Sequence, residues 1–251
     1  MEVHHHPHVE KKNFKEYFLE FLMIFLAVTM GFFAETIREG FSERHREKEY
    51  MRSFIKDLKM DTAMLNAGFP RKEGRIKAID SVFIFFTSNP DAKSISGKLF
   101  RTIRRTTYDT RFIRNNITMN QLKNAGGMQT IKKKNVADSI SALDLFWEKV
   151  SIYNDAYFSN LQMGYSYSEE LVDESKLLPF FIRNQTAAFI TGIPDTVIIK
   201  INTTDLNKQL GFMMREKTFA YQELGIYKKL EESTVQLISM IKREYNLEGN
   251  E

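Results

Sequence analysis

The residues best suited to chemistry lie in one basic stretch. Arg101, Arg104, Arg105, Arg111, Arg114, Lys123, Lys132, Lys133 and Lys134 fall within 34 positions, opposed only by Asp109. Phe100, Tyr108 and Phe112 are interleaved with them. Guanidinium forks match the two oxygens of a carboxylate or phosphate, so an anion site is one reading. It would use Arg101, Arg104, Arg105, Arg111, Arg114, Lys132, Lys133 and Lys134, and anionic lipid headgroups are a natural target. The plainer reading is a solvated face whose cations pair with acids elsewhere, such as Glu169, Glu170, Asp173 and Glu174.

A second group is His4, His5, His6 and His8, near the start of the chain. Imidazoles bind zinc, copper and nickel. In a polar tail over residues 1–13 they lack a second shell to orient them, so metal binding there is a weak expectation. His45 is the only other histidine, and there is no cysteine. Disulfides and thiolate chemistry are thereby excluded. Walker A, dinucleotide-binding glycine, HExxH, EF-hand and GxSxG patterns are all absent from the sequence. The chain is therefore expected to be non-enzymatic and to need no cofactor. A net charge of +4 is too mild to indicate nucleic acid, which is not an expected partner.

The elements that would position these residues are helical. Only five prolines occur in 251 residues, and long stretches lack helix breakers. The run Phe21–Ala34 carries no charge, and Tyr17, Phe18 and Leu19 extend it past Glu20. A helix of about 18 residues rises roughly 27 Å, close to the hydrocarbon thickness of a bilayer. The segment is apolar all round, whereas a core helix keeps a polar stripe. Residues 14–34 are therefore expected to form an uncleaved transmembrane helix; Glu10 and Glu16 precede the run, and no small-x-small cleavage site follows it. Lys11, Lys12 and Lys15 on one flank nearly balance Arg38, Arg44, Arg46 and Lys48 on the other. Long domains translocate largely regardless of charge, which leaves a slight preference for a cytoplasmic N-terminus and an extracytoplasmic domain.

Residues 35–50 read as a charged helical stalk, with Glu35–Arg38, Glu43–Arg46 and Arg46–Glu49 at helical spacing. Apolar periodicity begins again at Met51, which opens a helical bundle domain over residues 51–251. Its first helix is expected to stop at Gly68-Phe69-Pro70, with a second over Ile76–Phe86 ending before Asn89-Pro90. A third helix is expected over residues 94–107, and a short one from Thr118 to Asn124, stopped by Gly126-Gly127. A phosphate cradle at that glycine pair is the less favoured alternative. Long helices are expected from about Asn135 to Leu171 and from Leu206 to Tyr245, the latter roughly 60 Å long. Residues 196–201 read equally as a short strand or an extended loop, because no partner strand is evident. The fold class is thus all-α: an N-terminal transmembrane helix, a stalk and an elongated bundle of four or more helices, coiled-coil-like in its lengthwise packing. The sequons at Asn116, Asn184 and Asn202 matter only in a glycosylating secretory route.

Three blocks, MEVHHHPH, EYFLEFLMIFLAVTMGFFAE and REKEYMRSFIKDLKMDTAML, resemble a group of uncharacterised single-pass membrane proteins of Bacteroidota. NQLKNAGGMQTIKKKNVADSI looks like a further block of that group. The resemblance covers about a quarter of the chain. It implies a bacterial inner-membrane location and a native His-rich start, and it carries no catalytic residue across. The function expected is that of a non-enzymatic sensor, scaffold or partner-binding module. Membrane lipid, and a protein partner or a second copy of the chain, are the expected contacts.

Overall fold

A computed structural model describes residues 13–124, 126–183 and 192–247. The fold is all-α, and its chain divides into two compact units, residues 1–51 and 52–251. His4, His5, His6 and His8 lie outside the described residues.

The first element, α1, is a continuous helix over Phe14–Ser88. In the first unit its apolar residues are exposed all round, including Phe21, Met23, Ile24, Phe25, Met30, Phe32 and Phe33. This segment is long and apolar enough to cross a membrane, and none of its most hydrophobic window is buried by protein. Polar groups within it bond locally: the Thr29 hydroxyl donates to the Phe25 carbonyl at 2.7 Å. Further on, Arg38 Nε donates to Glu35 Oε2 at 2.8 Å, at the spacing read from the sequence. Arg46 Nη2 donates to the Tyr50 hydroxyl at 3.2 Å.

The second unit is a helical bundle. After α1 come β1 (Ser94–Ser96), α2 (Gly97–Thr106), α3 (Ile117–Asn124), α4 (Gly127–Thr130), α5 (Lys134–Glu170), α6 (Leu178–Arg183), β2 (Ile198–Lys200) and α7 (Thr203–Tyr245). The ion pairs define the packing. On α1, positions 66, 72 and 75 meet 231, 223 and 216 of α7 in descending order, and 80 meets 217, so these helices are antiparallel. Helices α5 and α7 are antiparallel as well: Lys133 meets Glu244, Asn154 meets Tyr227, and Gly164 meets Phe212. Gly164 is required there, because a Cβ at that position would lie 1.9 Å from the Phe212 ring.

Two expectations need correction. The helix does not stop at Pro70; α1 runs through it. A proline inside a helix removes one backbone hydrogen bond, a cost of about 3 kcal/mol. Packing on both sides outweighs it. Phe69 and Ile76 join Ala220 and Leu224 in one apolar cluster, and Leu65, Ile79 and Val82 are buried on the same helix. The segment 196–201 does find a partner. Strands β1 and β2 pair antiparallel, Ile95 opposite Ile199, so residues 94–96 are strand and not the start of a helix. The pair closes one end of the bundle over Ile79, Phe86, Phe100, Leu171, Leu177, Leu206 and Phe212.

Helix caps follow the local sequence. The Ser96 side chain accepts from Leu99 N at the start of α2, and Asn202 accepts from Thr204 N at the start of α7. Asn202, one of the sequon asparagines, is thereby used as a cap. Gly126 adopts φ +65° before the four-residue α4, a left-handed conformation that glycine takes without strain.

Candidate functional site

Between α2 and α3 the chain abandons helix. Thr107, Asp109, Thr110 and two asparagines are weak helix formers, and Asp109 Oδ1 accepts from the neighbouring Thr110 N at 2.7 Å. Residues 107–116 instead form an extended strap that runs antiparallel to α1 and α5. Along it, positions 109, 110 and 115 meet 72, 71 and 61 of α1, while 111 and 114 meet 155 and 144 of α5.

Charged side chains of α1 pin both ends of the strap. At its start, Arg75 Nε and Nη2 donate to the Thr106 carbonyl at 2.9 and 2.6 Å. A cation at the C-terminus of α2 satisfies an orphan carbonyl and opposes the negative end of the helix dipole. At its end, Asp57 Oδ2 accepts from Thr118 N at 2.9 Å and Asp57 Oδ1 from Asn115 Nδ2 at 3.1 Å. Here a carboxylate from another helix caps the N-terminus of α3, the mirror of the arrangement at Arg75. Thr118, expected as the cap, is instead the residue whose N–H is capped. Beside it, Asp61 Oδ1 accepts from Asn115 N at 2.8 Å. Burial pushes the Asp61 carboxyl up to about 6, against the lowering effects of the Asn115 N–H and Arg114.

The middle of the bundle carries a buried polar layer. Lys72 Nζ lies 3.0 Å from Asp109 Oδ2 and 2.7 Å from Glu223 Oε2. Arg75 Nη2 lies 3.0 Å from Glu216 Oε2, and its Nη1 donates to the Tyr157 hydroxyl at 2.7 Å. Tyr157 in turn donates to Asp109 Oδ2 at 2.8 Å, and Tyr227 to Asn154 Oδ1 at 3.0 Å. Two cations thus face three carboxyls. Burial pushes Glu223 up to about 7 despite Lys72 beside it, and raises Glu216 against the pull of Arg75. Burial acts in the same direction on Asp109, but Lys72, Tyr157 and Arg75 together hold it below the ordinary carboxylate range. Burial also raises the Tyr157 and Tyr227 phenols, which stay neutral donors. A neutral Glu223 leaves two cations against two carboxylates, the balance a dry interior favours.

Two concavities flank the strap, with Arg111 and Phe112 in the wall of both. One, of about 250 Å³, is lined by Met64, Phe69, Lys72, Phe112 and Tyr227. The other, of about 510 Å³, is a cleft lined by Arg111, Phe112, Arg114, Lys123, Asp144 and Trp147, among others. Only the second has the size usual for a small-molecule site. In its wall, the Phe112 and Trp147 rings stack at 5.1 Å, and the Arg114 guanidinium lies 5.4 Å from the Trp147 centroid. Arg114 Nη1 donates to Asp144 Oδ1 at 2.7 Å, and Lys123 pairs with the second Asp144 oxygen. Burial works against the ionised Asp144, but the hydrogen bonds from Lys123 and Arg114 keep its pKa low.

The basic residues singled out in the sequence do not converge. Arg101 pairs with Asp195 and the Ile193 carbonyl. Arg104 is buried, bonded to Ser168 at 2.9 Å, 3.3 Å from Glu174 and 4.5 Å from the Tyr165 ring centroid. Arg111 meets Asp155 at 2.6 Å, and Lys133 meets Glu244 at the far end of α7. Arg105, Lys132 and Lys134 are exposed. Of the set, Arg111 and Arg114 share a cavity, and Lys123 joins them. Sequence reading missed the buried layer of Lys72, Arg75, Tyr157, Glu216, Glu223 and Tyr227. A signal was present: Lys72 and Arg75, like Glu216 and Glu223, sit at helical spacing on the apolar face of their helices, where a charge needs a partner. Among the described residues no three His, Asp or Glu side chains are grouped to hold a metal ion. No protein-family model matches the chain, and no curated protein or solved structure matches it.

Proposed function

We propose that this chain is a single-pass membrane protein whose helical domain works as a non-enzymatic sensing or partner-binding module. The observation that carries the reading is the contrast within α1. Its first unit exposes bulky apolar residues on every face, a surface that water disfavours and lipid accepts. The resemblance to single-pass proteins of Bacteroidota supports a bacterial inner membrane, with the cytoplasmic N-terminus as the favoured direction. The non-enzymatic part of the reading draws support from what the perturbed carboxyls do. Glu216, Glu223 and Asp61 bond to side chains and backbone of the bundle and hold the strap in place. The partner is another protein or a second copy of the chain.

Extraction and fusion experiments test this. The full-length chain should stay in the membrane pellet through alkaline carbonate and leave it only with detergent. Reporters placed after Lys15 and at Glu251 should report opposite sides. Release by carbonate would remove the anchor, and reporters on one side would remove the single span. Cross-linking in intact membranes should yield a discrete adduct, with a partner or with itself; a chain that stays monomeric and uncross-linked would count against the binding role.

A further inference from the structure

We propose that the cleft between the strap and α5 binds a small organic carboxylate, with Arg114 and Trp147 as the residues that recognise it. This deepens the sensing role proposed above by naming the chemistry sensed. The argument begins with unused donors. The Arg114 side chain is nine-tenths buried, and Nη1 is its one nitrogen that meets Asp144. Its Nε and Nη2 are buried with no acceptor among the described residues. Those two N–H groups form the side-on edge of the guanidinium, the fork that matches both oxygens of a carboxylate. The Trp147 indole N–H is also buried, with no acceptor among the described residues. Trp147 itself is 6% exposed. A buried donor left unpaired has lost its water without gaining a partner, so three in neighbouring side chains call for an acceptor-rich partner.

The surroundings narrow the class. Both residues line the 510 Å³ cleft, where the stacked Phe112 and Trp147 rings provide a flat apolar wall. Among the lining charges, Arg111 pairs with Asp155, while Arg114 and Lys123 face Asp144 and Glu148. Asp144 is occupied by Arg114 and Lys123, and Glu148 is 3.8 Å from Lys123 and largely exposed. The remaining carboxylate near the guanidinium is Asp61, whose Oδ2 is unpaired and whose Oδ1 is held by the strap backbone. A monocarboxylate with a flat apolar body fits this combination of fork, indole N–H and aromatic wall.

Trp147 is the only tryptophan in the chain, so its fluorescence reads the cleft directly. The full-length protein in nanodiscs is titrated with benzoate, with its neutral isostere benzamide, and with inorganic phosphate. Benzoate should give a saturable change in Trp147 emission and benzamide none. Arg114→Lys keeps the charge but loses the fork, and should weaken benzoate binding about tenfold or more. Lys123→Gln, at a half-exposed position that tolerates substitution, should weaken it a few-fold and serves where Arg114→Lys fails to fold by circular dichroism. No saturable response to benzoate, an equal response to benzamide, or a response to phosphate in its place would overturn the assignment. So would unchanged affinity in folded Arg114→Lys. A chain that resists carbonate extraction yet ignores benzoate loses the ligand site alone; one that binds benzoate but is released by carbonate loses the membrane reading alone.

Discussion

The two halves of α1 are built from similar amounts of apolar side chain and bury them in opposite ways. Over residues 14–33 the apolar groups cover the whole circumference and none of the bulky ones is buried by protein. Over residues 52–88, Phe54, Leu58, Leu65, Ile76, Ile79, Val82 and Phe86 fall on one face and are almost fully buried. The same buried face carries Asp57, Asp61, Lys72 and Arg75, which terminate two helices and pin the strap. On the membrane reading proposed above, a backbone of one kind serves two media. Lipid requires only that every side chain be apolar, whereas a protein interior accepts a charge wherever another element supplies its counterpart.

The contrast can be broken most severely at Arg75. Arg75→Ala removes both donors to the Thr106 carbonyl and leaves Glu216 and Tyr157 without their partner. Losing one side of a buried pair costs about 3–5 kcal/mol, and denaturant unfolding of the detergent-solubilised chain should show a loss of that size. A conservative Arg75→Lys should recover less than half, because an ammonium cannot span three acceptors in one plane. In the first half the charge rule reverses. Leu26→Arg should leave the unfolding of the bundle unchanged and reduce membrane insertion, at about 2.5–3.5 kcal/mol for a charge near mid-bilayer. If Leu26→Arg destabilised the bundle as Arg75→Ala does, the two halves of α1 would not be independent.

Packing offers a smaller perturbation. Gly164 brings α5 against the Phe212 ring, and Gly164→Ala places a methyl where that ring lies. The expected loss is about 1–3 kcal/mol, the range for overpacking, partly offset by alanine's better helix propensity. Phe212→Leu alone should also destabilise, by opening a gap in the apolar cluster. The double variant should be more stable than the sum of the two losses predicts, which a double-mutant cycle measures.

How much of this was legible in the sequence depended on range. Helices α5 and α7 were, to within a few residues, because their apolar positions repeat over ten turns or more and each turn adds evidence. The strand at 198–200 was only half legible, since its partner Ser94–Ser96 lies about a hundred residues away inside a stretch with helical composition. Pro70 misled for a related reason: local propensity favours a stop, and only tertiary packing by Phe69 and Ile76 shows why the helix continues. The strap was the least legible element. Its conformation rests on Lys72, Arg75, Asp57 and Asp61, whose partners cannot be assigned from spacing along one helix. The basic residues from Arg101 to Lys134 look alike in sequence, and the fold separates them into a capped loop, a buried stack and exposed lysines.

The smallest effect should appear in the buried layer, as pH dependence. Glu223 has a folded pKa near 7 against an ordinary 4.5, so between those values the folded chain holds more protons than the unfolded one. Stability from this group is then fully present below pH 4.5 and is lost as pH rises through 7. Asp61, raised from 3.8 to about 6, acts in the same direction at lower pH. Asp109 and Asp144 act oppositely: their depressed values contribute stability above the ordinary carboxylate range, lost as pH falls through it. The bundle should therefore be most stable in mildly acidic solution and weaken towards pH 8. Glu223→Gln keeps an acceptor for Lys72 and removes the titration, so it should gain about 1–2 kcal/mol at pH 8 and change little at pH 5. An equal gain at both pH values would mean that Glu223 is ionised beside Lys72 throughout. With Glu216 ionised as well, the layer would then carry a net negative charge in its interior, so the balance of two cations with two carboxylates would require a neutral Glu216 instead.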